Sequence, residues 1–312
     1  MNVENKVDLF LDSGAFSAWT QGIEINIYEY IEFIKQHKDI IEVYANLDVI
    51  AQENGAENKR QSAEKTLENQ KIMESAGLSP LPVFHLGEPF KYLKYYVSNY
   101  EYVGLGGMVR VPKPTLVPWL NKCFGDFICD KKGIPKVKIH GFGLTSLLLM
   151  IEYPWYSVDS TSWVVHSRLG SICIPRYKDG KWIYNENSWN IVVSSKSPSS
   201  KEVGKHIDTL SPRERKVALD YIHSKGYKLG KSRFEKVPQS HQLADNERWA
   251  EKKPKDKSAK RLLEIMEEPG LCNMYQLRDE INIIYFQDLE KHLPEWPWPF
   301  KRKGAKGFVL ST

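Results

Sequence analysis

Short apolar runs that end on a carboxylate or a glycine, separated by stretches of helical periodicity, recur through the first 186 of the 312 residues. The runs predicted as strands are residues 7–12, 42–49, 81–86, 102–106, 137–141, 156–159 and 171–175, each short and rich in Val, Ile, Leu, Tyr or Phe. Between them, residues 27–37 set Ile27, Tyr30, Ile31 and Ile34 on one helical face. Residues 57–76 carry an Ala/Leu/Ile/Met stripe on a Glu/Lys-rich background, and residues 144–152 predict a packed helix after Gly141-Phe142-Gly143. Six or seven such units call for parallel strands joined by crossover helices. The expected fold class is therefore α/β, a compact TIM-like barrel or a closely related parallel sheet.

Three of the runs stop at aspartate. Val7-Asp8-Leu9-Phe10-Leu11 leads to Asp12, Val43-Tyr44-Ala45-Asn46-Leu47 leads to Asp48, and Tyr156-Ser157-Val158 leads to Asp159 and the hydroxyl cluster Ser160-Thr161-Ser162. A parallel barrel builds its active site from the C-terminal ends of its strands. Carboxylates repeated at that position predict an enzyme whose chemistry rests on two or three acids. Taken singly, an Asp at a strand end can also cap the following helix, and for Asp48 both readings stand.

With 41% hydrophobic and 12% aromatic residues, the chain can bury a substantial core and is not disordered overall. No apolar stretch is long enough for a membrane span, and Met1-Asn2-Val3-Glu4-Asn5-Lys6 lacks the pattern of a signal peptide, so the expected location is cytoplasmic. Cys123, Cys129, Cys173 and Cys272 form no CxxC pair. Buried thiols are expected, with neither a disulfide framework nor a zinc site.

Charge divides the chain. Residues 1–186 hold 20 Lys and Arg against 22 Asp and Glu, whereas residues 187–312 hold 24 against 17. The basic excess comes in runs, Lys225-Gly-Tyr-Lys228-Leu-Gly-Lys231-Ser-Arg233 and Lys252-Lys253-Pro-Lys255-Asp-Lys257, with Trp249, Trp296, Trp298 and Phe300 nearby. Cations interleaved with aromatics suit a polyanion whose bases stack; a solvated face with a basic loop is the alternative. A catalytic domain over 1–186 and a mostly helical basic region over 187–312 are expected, the latter binding nucleic acid or completing the barrel. Within it, Ser194-Ser195-Lys196-Ser197-Pro198-Ser199-Ser200 reads as a loop. Residues 211–225 read as a helix opened by Ser211-Pro212, and residues 258–268 as a helix stopped by Pro269-Gly270. Pro294-Glu-Trp-Pro-Trp-Pro-Phe300 reads as irregular.

Asp12-Ser13-Gly14-Ala15-Phe16 resembles the Asp-Ser-Gly-Gly-Phe signature of tRNA-guanine transglycosylases, and further tags follow in that family's order. Tyr102-Val103-Gly104-Leu105-Gly106-Gly107-Met108 resembles its Ile-Gly-Gly-Leu segment, and His140-Gly141-Phe142-Gly143 its Met-Gly-Val-Gly. Val158-Asp159 with Arg168-Leu169-Gly170 is similar in spacing to its Phe-Asp and Arg-Asn-Gly. The resemblance implies a (β/α)8 barrel that exchanges guanine in nucleic acid for a 7-deazaguanine.

It also implies roles. Asp159 would be the nucleophile on the anomeric carbon, and Asp12 the group that protonates the leaving guanine and deprotonates the incoming base. Asp48 would accept the N1–H and exocyclic amine of the base, with Ser13, Gly106 and Gly107 lining its pocket. His85, where the family usually has Gln, Glu88, His140 and Gly141 would complete the base site; a structural role for His85 and Glu88 stands beside this. Apart from the resemblance, Arg168 by its guanidinium geometry and Lys228, Lys231 and Arg233 of the first basic run are expected to contact phosphates.

The departures point to a branch. The Cys-x-Cys-x-x-Cys plus His zinc site of the tRNA enzymes has no counterpart beyond Cys173 and Cys272, so no cofactor or metal is expected. Ala15 and Ser17 replace the family's Gly and Gln, and the long section before the first motif is missing. A compact, zinc-free chain with a basic tail resembles the DNA-guanine transglycosylases of bacteriophages and genomic islands. That branch implies DNA as partner, a 7-deazaguanine of the preQ0 type as small-molecule substrate, and evasion of restriction through an altered major groove. The tRNA enzyme, a carboxylate-based barrel glycosidase and a noncatalytic nucleic-acid-binding protein are the competing readings.

Overall fold

Six strands in the first part of the chain run parallel and follow one another in space in the order in which they occur in sequence. The computed structural model describes residues 9–51, 55–144, 146–196, 202–256 and 258–302. Residues 1–6, Val7 and Asp8 of the first predicted strand, residues 197–200 of the Ser-rich loop and Lys257 of the second basic run lie outside the described residues. The residues up to 160, together with those from 294, make one compact unit, and residues 161–293 make a second.

In the first unit, β1 (Leu9–Leu11) pairs with β2 (Ile41–Tyr44). A parallel bridge between Ala45 and Leu81 leads on to β3 (Val83–His85), which pairs with β4 (Tyr102–Gly106). Then come β5 (Lys138–Gly141) and β6 (Ser157–Val158). Each predicted strand from 7–12 to 156–159 has its counterpart here. The connections are α1 (Ala15–Gln21) and α2 (Ile27–Gln36), then α3 (Ala56–Ser75), α4 (Phe90–Asn99), α5 (Lys113–Lys122, continued by a π-helical turn Cys123–Ile128) and α6 (Leu147–Glu152). The unit is a mixed α/β structure on parallel strands.

Strand alternation sorts the side chains. Phe84, Val103, Leu105 and Ile139 point to the helices, where they are fully buried with Leu93, Leu120 and Phe124. The other face carries His85 and His140, and the sheet curls enough that Phe10 of β1 stacks on His140 of β5, with ring centroids 4.4 Å apart. Glycine keeps this face open: a Cβ on Gly106 would lie 2.8 Å from the His85 ring.

Helix α3 buries few large apolar groups and works by polar tethers. Thr66 accepts the Val49 amide at 2.9 Å, Asn69 donates to the Leu47 carbonyl at 2.8 Å, and Asn46 donates to the Thr66 carbonyl at 2.9 Å. These bonds fix the turn after β2 that carries Asp48. After the long excursion of the second unit, the chain returns to finish the first. The Phe300 amide donates to the Gly133 carbonyl at 2.8 Å, and its ring stacks on Tyr153 beside Phe124.

The second unit opens with α7 (Ser162–Arg168) and β7 (Ser171–Ile174), the last predicted strand, which pairs antiparallel with β10 (Trp189–Val192). The compositional change at residue 187 thus falls inside it. A hairpin of β8 (Arg176–Lys178) and β9 (Lys181–Ile183) lies between. The predicted helix at 211–225 is α8 (Pro212–Ser224), where Ser211 and Glu214 form a reciprocal capping box.

The predicted helix at 258–268 is instead a strand, β13 (Arg261–Glu268), held between β11 (Lys231–Val237) and β12 (Glu247–Trp249). Leu, Glu and Met favour a helix intrinsically, but β13 is paired on both edges. Leu263, Glu264 and Ile265 are buried in succession, so neither period shows in the sequence. With this sheet and one long helix, α9 (Tyr275–Glu290), the region from 187 onward mixes strands and helices and is not mostly helical.

Candidate active site

The ends of β1, β2, β3, β5 and β6 bring four acids and two histidines together in the first unit. One half is a continuous hydrogen-bonded chain. Ser13 Oγ donates to Asp48 Oδ1 at 2.7 Å, Asp48 Oδ2 meets His85 Nε2 at 2.8 Å, and His85 Nδ1 meets Glu88 Oε1 at 3.0 Å. The second Glu88 oxygen accepts the His85 amide at 2.9 Å, which locks the turn after β3. His85 and Glu88 are buried. Burial opposes charge on His85, but the Glu88 carboxylate and the hydrogen bonds to Asp48 and Glu88 outweigh it and push the imidazole up to about 10. Burial likewise works against ionised Asp48, and His85 and Ser13 overcome it to hold that carboxyl below the usual range. The group is an imidazolium set between two carboxylates.

The other half holds Asp12 and Asp159, whose environments push them in opposite directions. Asp12 is open to solvent by area, yet desolvation by the surrounding protein, followed by the charges of Asp48 and Asp159, raises it above the carboxylate range against the amides of Ser13 and Gly14. Asp159 is lowered. Burial would raise it, but the facing His140 imidazole and the Gly143 amide, which donates to Oδ1 at 2.6 Å, prevail. Gly143 has φ +66°, a conformation that aims its N–H at the carboxylate and that a side chain would strain.

His140 is 2% exposed and positioned from behind. Its Nδ1 meets Ser157 Oγ at 2.6 Å, and Ser157 in turn hydrogen bonds the Tyr102 hydroxyl. Its Nε2 stands 3.6 Å from Asp159 Oδ1, beyond hydrogen-bond reach, and is buried without a partner. A buried ring nitrogen aimed at the space beside a half-open carboxylate is a place for a ligand atom.

The remaining predicted residues fall into two groups. Gly106 and Gly107 end β4 beside His85 and Leu86. Gly141 lies on the opposite face against Trp155, and its carbonyl accepts the Asp159 amide at 3.3 Å. Arg168, Lys228, Lys231 and Arg233 belong to the second unit. There Arg168 pairs with Asp279 at 3.4 Å and lies over the Tyr275 ring, Lys231 pairs with Glu267 at 2.8 Å, and Arg233 pairs with Glu235 and Glu267. Lys228 is exposed.

Sequence reasoning missed Phe10, Tyr102 and Ser157 as site residues. The signal was there for two of them: Phe10 and Ser157 stand two positions before Asp12 and Asp159, and residues i and i+2 of a strand share a face.

Among the described residues no cluster of three or more His, Cys, Asp or Glu is placed to hold a metal ion, and all four cysteines are buried free thiols. Among those residues no helix is long and apolar enough to cross a membrane. Comparison with known proteins returns no matching family model, no matching curated protein and no matching solved structure.

Proposed function

We propose that the chain is a DNA-guanine transglycosylase on a (β/α)8-type barrel, replacing guanine in DNA by a 7-deazaguanine, with protection of phage DNA from restriction as its consequence. The observation that carries this reading is the opposite displacement of Asp12 and Asp159. A carboxyl of lowered proton affinity beside one of raised proton affinity is the division of labour that double displacement at an anomeric carbon needs.

Asp159 attacks C1′ of the target nucleotide as the C1′–N9 bond breaks, and Asp12 gives its proton to the departing guanine. The incoming base then surrenders its N9 proton to Asp12, and its N9 attacks C1′ and releases Asp159. Asp48, held anionic by His85, keeps lone pairs beyond its two protein bonds for the N1–H and amine of the base. His140 Nε2 faces the reacting carboxylate and is free to bond the nucleotide. The target must leave the base stack or arrive single-stranded.

The test is exchange of labelled guanine into DNA and, in parallel, into tRNA, with wild type and Asp159→Asn. Exchange into DNA that vanishes in the variant is the expected result. Exchange confined to tRNA makes the polymer RNA and keeps the mechanism. No exchange with guanine or with 7-deazaguanines as incoming base overturns the reading.

A further inference from the structure

The second unit holds an open cleft of about 470 Å³ that has no part in the chemistry above. Its volume falls in the range of about 300–1,000 Å³ typical of small-molecule sites. Arg176 and Tyr177 of β8, Trp189 of β10, and Arg213, Glu214 and Val217 of α8 line it. Among the described residues Arg213 has neither an ion-pair nor a hydrogen-bond partner. Arg176 uses only Nε, donating to the Asn187 carbonyl at 3.1 Å, so its terminal amines are available. The neighbouring cations differ: Lys178 pairs with Glu186, Arg215 with Asp208 and Lys216 with Asp220.

The aromatic walls are backed by packing. Tyr177 is half exposed and rests on Trp182 with ring centroids 4.6 Å apart, and Trp182 rests on fully buried Tyr221. Trp189 is partly buried against the same core. The carboxylate of Glu214 also lines the cleft, but Oε2 accepts from the Ser211 amide and hydroxyl, and Oε1 remains as an acceptor for a base N–H. Two available guanidiniums beside two fixed aromatic rings match a phosphate joined to a planar base.

We propose that this cleft binds a nucleotide, its phosphate on Arg176 and Arg213 and its base against Tyr177 and Trp189, as a seat for a single strand of nucleic acid. The inference stands on the cleft alone and does not need the base-exchange chemistry.

The test is fluorescence anisotropy of a short labelled single-stranded oligodeoxynucleotide on the full chain across a salt series. Arg176→Ala with Arg213→Ala is expected to weaken binding at least tenfold and to flatten the slope of log affinity against log salt by about 0.7, the value for the one phosphate no longer neutralised. Tyr177→Ala is expected to weaken it about tenfold with the slope unchanged. These side chains are exposed, so the unfolding midpoint should hold; Lys131→Ala with Lys132→Ala in the first unit controls for net charge.

Displacement of the strand by deoxyguanosine monophosphate would identify a free nucleotide as occupant, and resistance to it a polymer. Unchanged affinity in the double variant, equal binding of an abasic strand, or equal cleft-dependent binding of a phosphotyrosine peptide would overturn the proposal. Asp159→Asn separates the two readings. Cleft-dependent binding without exchange in the wild type defeats only the transglycosylase, and exchange with no cleft dependence of binding defeats only this site.

Discussion

The strand ends of the first unit and the β11–β13 sheet of the second treat charge in opposite ways. At the strand ends Asp12, Asp48, Glu88 and Asp159 gather with His85 and His140; desolvation and then the charges of Asp48 and Asp159 raise Asp12, while the His140 imidazole and the Gly143 amide lower Asp159. In the sheet the basic run is met by acids: Lys231 and Arg233 pair with Glu267 of β13, Arg233 also pairs with Glu235 on its own strand, and buried Glu264 takes Arg248 at 2.8 Å and Lys196 at 3.3 Å. Unbalanced charge shifts proton affinities and supports chemistry; balanced charge holds strands together. A basic run in sequence does not distinguish the two, because its partners come from elsewhere in the chain.

The sharpest test of the contrast is Asp159→Asn, which should lower base exchange by about 10⁴-fold or more, since removal of a nucleophile leaves only binding and orientation. Asp12→Asn should lower it by about 10²–10⁴-fold. In single-turnover release of guanine, wild type should slow as pH rises through the elevated value of Asp12, and the variant should lack that limb. Both variants should fold.

Glu88→Gln and His85→Leu strike the balanced part of the same site. His85→Leu strands the charges of Asp48 and Glu88, and denaturant titration should show a loss of about 3–5 kcal/mol; Glu88→Gln leaves His85 paired with Asp48 and should cost less. The pH dependence of stability follows from the two displaced groups. His85 is raised, so its contribution is complete below the unfolded value of about 6.5 and is lost as pH rises through about 10. Asp48 is lowered, so its contribution is present above the unfolded value of about 3.9 and is lost as pH falls below it. Thermal melts across pH should show both flanks in wild type and no alkaline flank in His85→Leu. Smallest of all, Lys231→Ala with Arg233→Ala should leave the unfolding midpoint within error, because exposed pairs contribute little. A large drop there would erase the contrast between the regions.

The parallel strands were legible because each is a short run with its own boundary signal and most are apolar, as Tyr102–Gly106 illustrates. The places of Asp12 and Asp159 stand out in the sequence because each ends an apolar run and is followed by Ser, whereas Asp48, followed by Val49, is marked only by the run before it. What escaped depends on partners distant in sequence. Nothing in Arg261–Glu268 foretells that β11 and β12 will flank it. Nothing in the hydroxyl run at 160–162 marks the division between the units. The unpaired state of Arg213 is a fact about which acids are not near it, and composition is blind to that.

The return of residues 294–302 to the first unit has a consequence for the order of events during synthesis. Strands β1 to β6 each meet the strand made just before them, so pairing can follow the chain as it leaves the ribosome. The aromatic cluster of Phe124, Tyr153 and Trp155 cannot be closed in that way, because Phe300 arrives only after residues 161–293 have been translated. The first unit is begun first and finished last, and its apolar surface waits for its cover while the second unit is made.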